Sequence, residues 1–81
     1  MDRDEIIQRL RKVFVAVLKH ENFEMKNELS AANVSGWDSL THMVIISDIE
    51  AAFGIKFKLK ELNKLSNLGN LIELVTLKTG Q

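Results

Sequence analysis

Apolar residues recur at every third or fourth position in two end segments of this 81-residue chain. This spacing puts them on one face of an α-helix. Asp2 and Glu5 are placed as a capping box at the start of the first helix, whose last turn should carry Lys19 and His20. Ser66 is predicted to cap the last helix, over about residues 67–78. The apolar positions are Ile6, Ile7, Leu10, Val13, Phe14, Val17 and Leu18 in the first helix and Leu68, Leu71, Ile72 and Val75 in the last.

A middle helix is predicted from Ser39 to Phe53, with Asp38 as its N-cap and Gly54 as a left-handed C-cap. Its apolar residues fall on two sides. A helix that is apolar on two sides must bury both or use one for binding. We expect one side to face the core, namely His42, Ile45, Ile46, Ile49 and Phe53. The other side should be at least partly exposed and bind partners, and it comprises Leu40, Met43 and Val44 with Ser47 and Asp48 at its border.

The segments between these helices lack a helical period. Residues 21–37 are predicted to form a long ordered loop. Its anchors in the core would be Phe23, Met25, Leu29 and Val34. Trp37 is interpreted as a further core anchor, because large aromatic residues dominate burial in small domains, with a surface seen by a modifying enzyme as the alternative.

Residues 55–60 alternate between apolar residues and lysine, which is typical of a half-buried strand. A lone strand would leave its backbone groups unpaired, so we predict a loop that leads into a short helix over about residues 59–64. The nearby lysines are interpreted as a solvated face, with a site for an acidic partner as the alternative; they are Lys56, Lys58, Lys60 and Lys64. The predicted fold is therefore all-α, a small four-helix bundle with three main helices and one short helix.

Composition limits the function. A chain of 81 residues with 46% apolar content suits a single domain, residues 1–81, too small for a core and a deep catalytic cleft. Its 11 basic and 11 acidic side chains cancel, so we expect neither nucleic acid nor membrane as a partner. It has no cysteine, and His20 and His42 alone cannot build a metal site. No signal-peptide pattern begins the chain, and we expect a cytoplasmic monomer.

Ser39 is the most informative position for function. Asp38 would place it, exposed, in the first turn of the middle helix. A hydroxyl there lies beside the positive end of the helix dipole and several free backbone donors, which favours a phosphate ester. A hydrolase with Ser39 as nucleophile and His42 as base is a poor alternative, because the chain is too short to form a cleft around them.

The segment Asp38-Ser39-Leu40, the following apolar helix with Asp48-Ile49-Glu50, and residues 53–57 together resemble the acyl carrier protein family. The resemblance implies that Ser39 carries 4′-phosphopantetheine, added from coenzyme A by a separate phosphopantetheinyl transferase. It also implies that acyl groups are held as thioesters and shown to acyl-transferring or condensing enzymes that contact the middle helix. The domain itself would catalyse nothing.

Two further features bear on the pathway. The Trp37 form of the motif resembles stand-alone carriers of specialised pathways. Housekeeping fatty-acid carriers are usually strongly acidic along the middle helix, whereas this chain is neutral. We therefore expect a polyketide-like or other secondary pathway ahead of fatty-acid synthesis. The alternative function is a non-enzymatic helical docking domain with no prosthetic group, in which Ser39 is simply a residue at a helix start.

Overall fold

The structure is a computed structural model that describes residues 2–80. It contains four α-helices: α1 (Arg3–Leu18), α2 (Ser39–Phe53), α3 (Leu59–Leu62) and α4 (Leu68–Thr79). A single 3-10 turn, Ala31–Asn33, lies in the loop between α1 and α2. No strand occurs within residues 2–80, so the predicted all-α fold with three main helices and one short helix is confirmed.

Helix α1 packs against both α2 and α4, and the core lies between these three helices. The residues predicted from the helical spacing supply most of it. Trp37 and Val34 add to the core from the loop, which confirms Trp37 as an anchor. The buried helix residues are Ile6, Leu10, Phe14 and Leu18 in α1, Ile45, Ile46 and Ile49 in α2, and Leu68, Leu71, Ile72 and Val75 in α4.

The end of α1 differs from the prediction. Asp2 caps the helix as expected, accepting the Glu5 N–H at 2.8 Å. The reciprocal half of the predicted capping box is not formed within residues 2–80, because the Glu5 carboxylate accepts from Arg9 at 2.9 Å instead. The helix stops at Leu18, however, because Lys19 adopts the left-handed conformation at φ 64° and donates its N–H to Val15. Lys19 and His20 therefore lie beyond the last turn of α1, in contrast to the prediction that this turn carries them. His20 instead contacts the loop, with its Nε2 2.6 Å from the Ser35 carbonyl oxygen.

The loop from Lys19 to Asp38 is tied to the start of α4. The Leu68 N–H donates to the Leu29 carbonyl at 2.7 Å, and the Gly69 N–H donates to the Asn27 carbonyl at 2.9 Å. A β-carbon at position 69 would lie only 3.0–3.2 Å from Asn27, so glycine permits this close approach. Two N–H groups that a helix start leaves unpaired are thus satisfied by the loop.

The segment after α2 shows why its sequence alternates. Ile55 and Phe57 are half-buried against the core, while Lys56 and Lys58 are exposed. The extended backbone is paired locally rather than in a sheet, since the Phe57 N–H donates to the Glu50 carboxylate at 2.8 Å. Helix α3 then ends at Leu62, two residues before the predicted end.

Helix α4 begins at a different cap from the one predicted. Asn67, not Ser66, is the N-cap, and its side chain accepts the Asn70 N–H at 2.9 Å. Ser66 lies one residue too early for that geometry and its hydroxyl donates to the Asn70 side chain at 2.8 Å. Gly80 is the C-cap of α4. Chain ends are generally prone to fray, so we expect this of Gly80 and Gln81; Gln81 lies outside the described residues.

Candidate functional site

Ser39 is the first residue of α2, and the capping interactions around it hold the turn in place. The Asp38 carboxylate accepts the N–H groups of Leu40 and Thr41, both at 3.0 Å. In return, the Thr41 hydroxyl accepts the Asp38 N–H at 2.9 Å and donates to the Gly36 carbonyl at 2.6 Å. Gly36 supplies the bend with a φ of 85°, a conformation that favours glycine. The predicted cap is confirmed, and α2 runs from Ser39 to Phe53 with Gly54 as its left-handed C-cap.

The Ser39 side chain is exposed, and its hydroxyl forms no hydrogen bond within the part of the chain that the structure describes. Its Oγ is therefore accessible for esterification. The backbone donors that we expected to be free are largely taken, because Asp38 occupies those of Leu40 and Thr41. These hydrogen bonds, of which that from the Thr41 N–H has the largest effect, also hold the pKa of Asp38 below its usual value. Asp38 is therefore a carboxylate at neutral pH.

An apolar groove of about 390 Å³ opens beside Ser39. We call it the Ser39 groove. Residues of the loop and of α2 form one wall, and the α3–α4 junction forms the other; the lining residues are Ala31, Trp37, Asp38, Ser39, His42, Met43, Leu65, Ser66, Asn67 and Leu71. No periodicity in the sequence indicated this groove, since its walls come from segments far apart in the chain. The only hint in the sequence was the closeness of Trp37 and His42, two ring side chains five positions apart at the start of the middle helix.

Trp37 and His42 form a hydrogen-bonded pair in this groove. The Trp37 indole N–H donates to Nδ1 of His42 at 3.1 Å. The two rings are stacked, with centroids 6.1 Å apart and planes at 24°. Trp37 also meets Phe14 edge-on at 5.0 Å, which fixes the indole in the core. Partial burial lowers the pKa of His42, so its neutral form is favoured.

This pairing is unsuited to serine hydrolysis. In a catalytic triad, Nδ1–H of the histidine donates to a carboxylate that orients the ring. Here Nδ1 is an acceptor, because an indole N–H can only donate. No hydrogen bond joins Ser39 and His42 within residues 2–80. His42 was predicted to face the core, and it does so only in part, as it is half-buried along the groove.

The second apolar side of α2 is exposed next to Ser39. Leu40 is 76% exposed, Met43 59% and Val44 44%. We call these three residues the α2 patch. Ser47 and Asp48, which we placed at its border, are exposed as well. Met43 belongs to two surfaces, because it also lines the Ser39 groove.

The other candidates lie outside the groove. The four lysines Lys56, Lys58, Lys60 and Lys64 are exposed, and none of them lines it. Residues 2–80 contain no cluster of three potential metal ligands. None of the helices in that range is both long enough and apolar enough to cross a bilayer.

Comparison with known proteins agrees with this geometry. Residues 8–75 match the family model for the phosphopantetheine attachment site. The acyl carrier protein of Thermotoga maritima is 26% identical over 78 residues, which cover 96% of each chain. The solution structure of a holo acyl carrier protein from Geobacter metallireducens superposes with a TM-score of 0.86 at 37% identity, covering 93% of this chain and 86% of the other.

The chain belongs to the acyl carrier protein family, a class of small helical proteins with a phosphopantetheine attachment site. Its prosthetic group is 4′-phosphopantetheine, bound covalently. Proteins of this class are carriers rather than catalysts. The family therefore favours the carrier over the alternative of a docking domain without a prosthetic group.

Proposed function

We propose that Ser39 is the attachment residue, and that the chain carries acyl intermediates as thioesters on this arm and presents them to partner enzymes. The observation that supports this most directly is the exposed Ser39 hydroxyl at the start of a firmly capped helix, which has no hydrogen-bond partner among residues 2–80. That residue fits the group, since an ester needs an accessible oxygen on a fixed backbone. The adjacent groove leaves room beside Ser39 for the first atoms of the arm, because Ser39 itself lines it.

The carrier needs no catalytic residue of its own. The arm supplies a thiol whose thioester keeps an acyl carbonyl reactive. Tethering raises the effective concentration of that acyl group at each partner's site, so a small rigid holder is sufficient. The roles we assign to this chain are to hold the Ser39 oxygen outward through the Asp38 cap and to offer the α2 patch for docking.

We further propose which proteins act on it. A separate phosphopantetheinyl transferase would modify Ser39, and acyl-transferring or condensing enzymes would use the loaded carrier. The neutral charge of the chain supports a specialised, polyketide-like or secondary pathway ahead of fatty-acid synthesis. Its working unit would be a single domain over residues 1–81. Docking would then use Leu40, Met43 and Val44, with Ser47 and Asp48 at the edge.

Modification in vitro tests the attachment residue. The protein is incubated with coenzyme A, magnesium and a broad-specificity transferase, and its intact mass is measured. We expect the wild type to gain one phosphopantetheine and Ser39→Ala to gain none. Ser35→Ala is the matched control, since Ser35 is also exposed and lies four positions earlier; it should be modified like the wild type.

Two outcomes would refute the assignment. One is that the wild type gains no mass while a known carrier is modified by the same transferase. The other is that Ser39→Ala gains the same mass as the wild type. Circular dichroism of Ser39→Ala would show that its failure to react does not come from unfolding.

A further inference from the structure

His42 lies one helical turn after Ser39, on the same side of α2. Residues three apart on a helix are neighbours, with β-carbons about 5–6 Å apart. Both residues line the Ser39 groove. A group esterified to Ser39 would therefore begin within reach of the His42 ring.

The Trp37 hydrogen bond decides which ring nitrogen of His42 is available. Because the indole N–H donates to Nδ1, the proton of the neutral imidazole is on Nε2. Nε2 has no hydrogen-bond partner within residues 2–80. Every fully buried side-chain nitrogen or oxygen among these residues has a hydrogen-bond partner. Because Nε2 has none, it is not fully buried. His42, which lines the groove, thus keeps one N–H donor that is neither fully buried nor hydrogen-bonded within residues 2–80.

Most of the usual phosphate donors at this helix start are occupied. A phosphate at a helix N-terminus is normally bound by free backbone N–H groups. Here the N–H groups of Leu40 and Thr41 donate to the Asp38 carboxylate, and that of His42 donates to the Asp38 carbonyl at 2.8 Å. The side chain of His42 is left as a donor that the capping network does not use.

We propose that His42 is a positioning residue for the prosthetic arm, and that its Nε2–H donates a hydrogen bond to a phosphodiester oxygen of the group on Ser39. This rests on the carrier function proposed above. A hydrogen bond to a charged acceptor is stronger than one between neutral groups. It would direct the first atoms of the arm toward the groove, while Trp37 holds the ring in the required tautomer.

The surroundings of His42 make the interaction measurable. Among the residues that line the Ser39 groove, Asp38 and His42 are the titratable ones; the residues from the α3–α4 side are Leu65, Ser66, Asn67 and Leu71, which carry no charge. Asp38 is present in both the apo and the holo protein, whereas the phosphodiester is present only in the holo protein. A difference in His42 titration between the two forms therefore reports the added phosphodiester.

The test is an NMR pH titration of the apo and holo proteins, with ring signals of His42 and the phosphorus signal of the arm as readouts. We expect the pKa of His42 to be higher in the holo protein, because the anion favours the imidazolium form. A phosphodiester does not itself titrate in this range. Its phosphorus signal should nevertheless show a step at the His42 midpoint, and His42→Gln should remove that step.

His20 is the control, since it contacts Ser35 and Asn22 rather than the groove. Its ring signals should be the same in both forms, and His20→Gln should keep the phosphorus step. Trp37→Phe removes the donor to Nδ1 and should shift His42 toward a mixture of tautomers, visible in its ring ¹⁵N signals. The comparison of wild-type apo and holo protein stands even if a variant fails to fold.

The outcomes separate this proposal from the carrier function. If mass spectrometry shows holo protein but the His42 midpoint is unchanged and the phosphorus signal stays flat, the positioning role is wrong and the carrier function stands. If His42→Gln retains the step, another group causes it and the proposal is equally wrong. If no holo protein forms with an active transferase, the carrier function fails and this proposal fails with it.

Discussion

Leu40→Ala is the sharpest test of how the carrier docks. Leu40 is 76% exposed in the free protein and adjoins Ser39, so a partner at the α2 patch would cover it. Burying a whole leucine side chain contributes about 1.5–3 kcal/mol. Three-quarters of that is about 1–2 kcal/mol, which corresponds to a loss of about 5- to 30-fold in affinity.

The assay is a binding titration with the transferase that modifies the protein. Using the Ser39→Ala background prevents turnover during the measurement. The titration is run at about 0.05 and 0.5 M salt. The higher salt shortens the screening length about threefold, which weakens contacts made of exposed ion pairs. We expect the Leu40→Ala effect to exceed the salt effect. Val44→Asp should also weaken binding, because it would bury a carboxylate.

Leu77→Ala is the matched control for Leu40→Ala. Leu77 is 64% exposed, but it lies on α4 and lines neither the Ser39 groove nor the α2 patch. Its replacement should leave affinity within about twofold of the parent. If high salt abolishes binding and Val44→Asp binds as well as the parent or better, docking is electrostatic and the apolar interpretation of this patch is refuted. An equal loss for Leu77→Ala and Leu40→Ala would also contradict it.

Two further predictions concern the apo protein. Ser39→Ala should change the free energy of unfolding by less than about 0.5 kcal/mol, as is usual for exposed side chains. Asp38→Ala should lower it by more, because Asp38 accepts two N–H groups. A large loss of stability for Ser39→Ala in denaturant melts would indicate a structural serine. Burial holds the pKa of His42 below its unfolded value of about 6.5. The unfolded chain therefore binds more protons, and stability should rise as the pH increases from the folded-state pKa to just above that unfolded value. His42→Gln should flatten that rise, and an unchanged slope in the same melts would contradict the assignment.

The bounds of α2 could be predicted from the sequence because its signals are local. Asp38 and Gly54 act on residues within one turn of themselves, so no tertiary contact is needed to place them. The start of α4 shows the limit of the same reasoning. Ser66 and Asn67 are both good caps, and the choice between them depends on where the loop carbonyls of Asn27 and Leu29 lie. That information is not present in the local sequence.

The prediction that residues 55–60 do not form a strand is confirmed, and the structure gives the physical reason for the alternation over residues 55–58; Leu59 already begins α3 and is exposed. Extended backbone points successive side chains to opposite sides whether or not it is paired in a sheet. Ile55 and Phe57 face the core in such a segment, and Glu50 satisfies the Phe57 N–H. Alternation of apolar and polar residues therefore indicates an extended segment that packs on the core. Whether such a segment joins a sheet depends on whether a second strand is available.

The Ser39 groove could not be predicted because its two walls are held by different kinds of contact. On the α2 side, the reciprocal hydrogen bonds of Asp38 and Thr41 fix Ser39 through neighbours in sequence. The opposite wall, residues 65–67, follows α3, which is joined to α4 by the Glu61–Lys78 ion pair at 3.0 Å. The Ser39 oxygen is therefore positioned by local sequence, whereas the width of the groove beside it depends on how α3 and α4 pack. This separation explains why Ser39 could be proposed as the attachment residue from the local sequence, whereas the groove beside it becomes visible only in the packed fold.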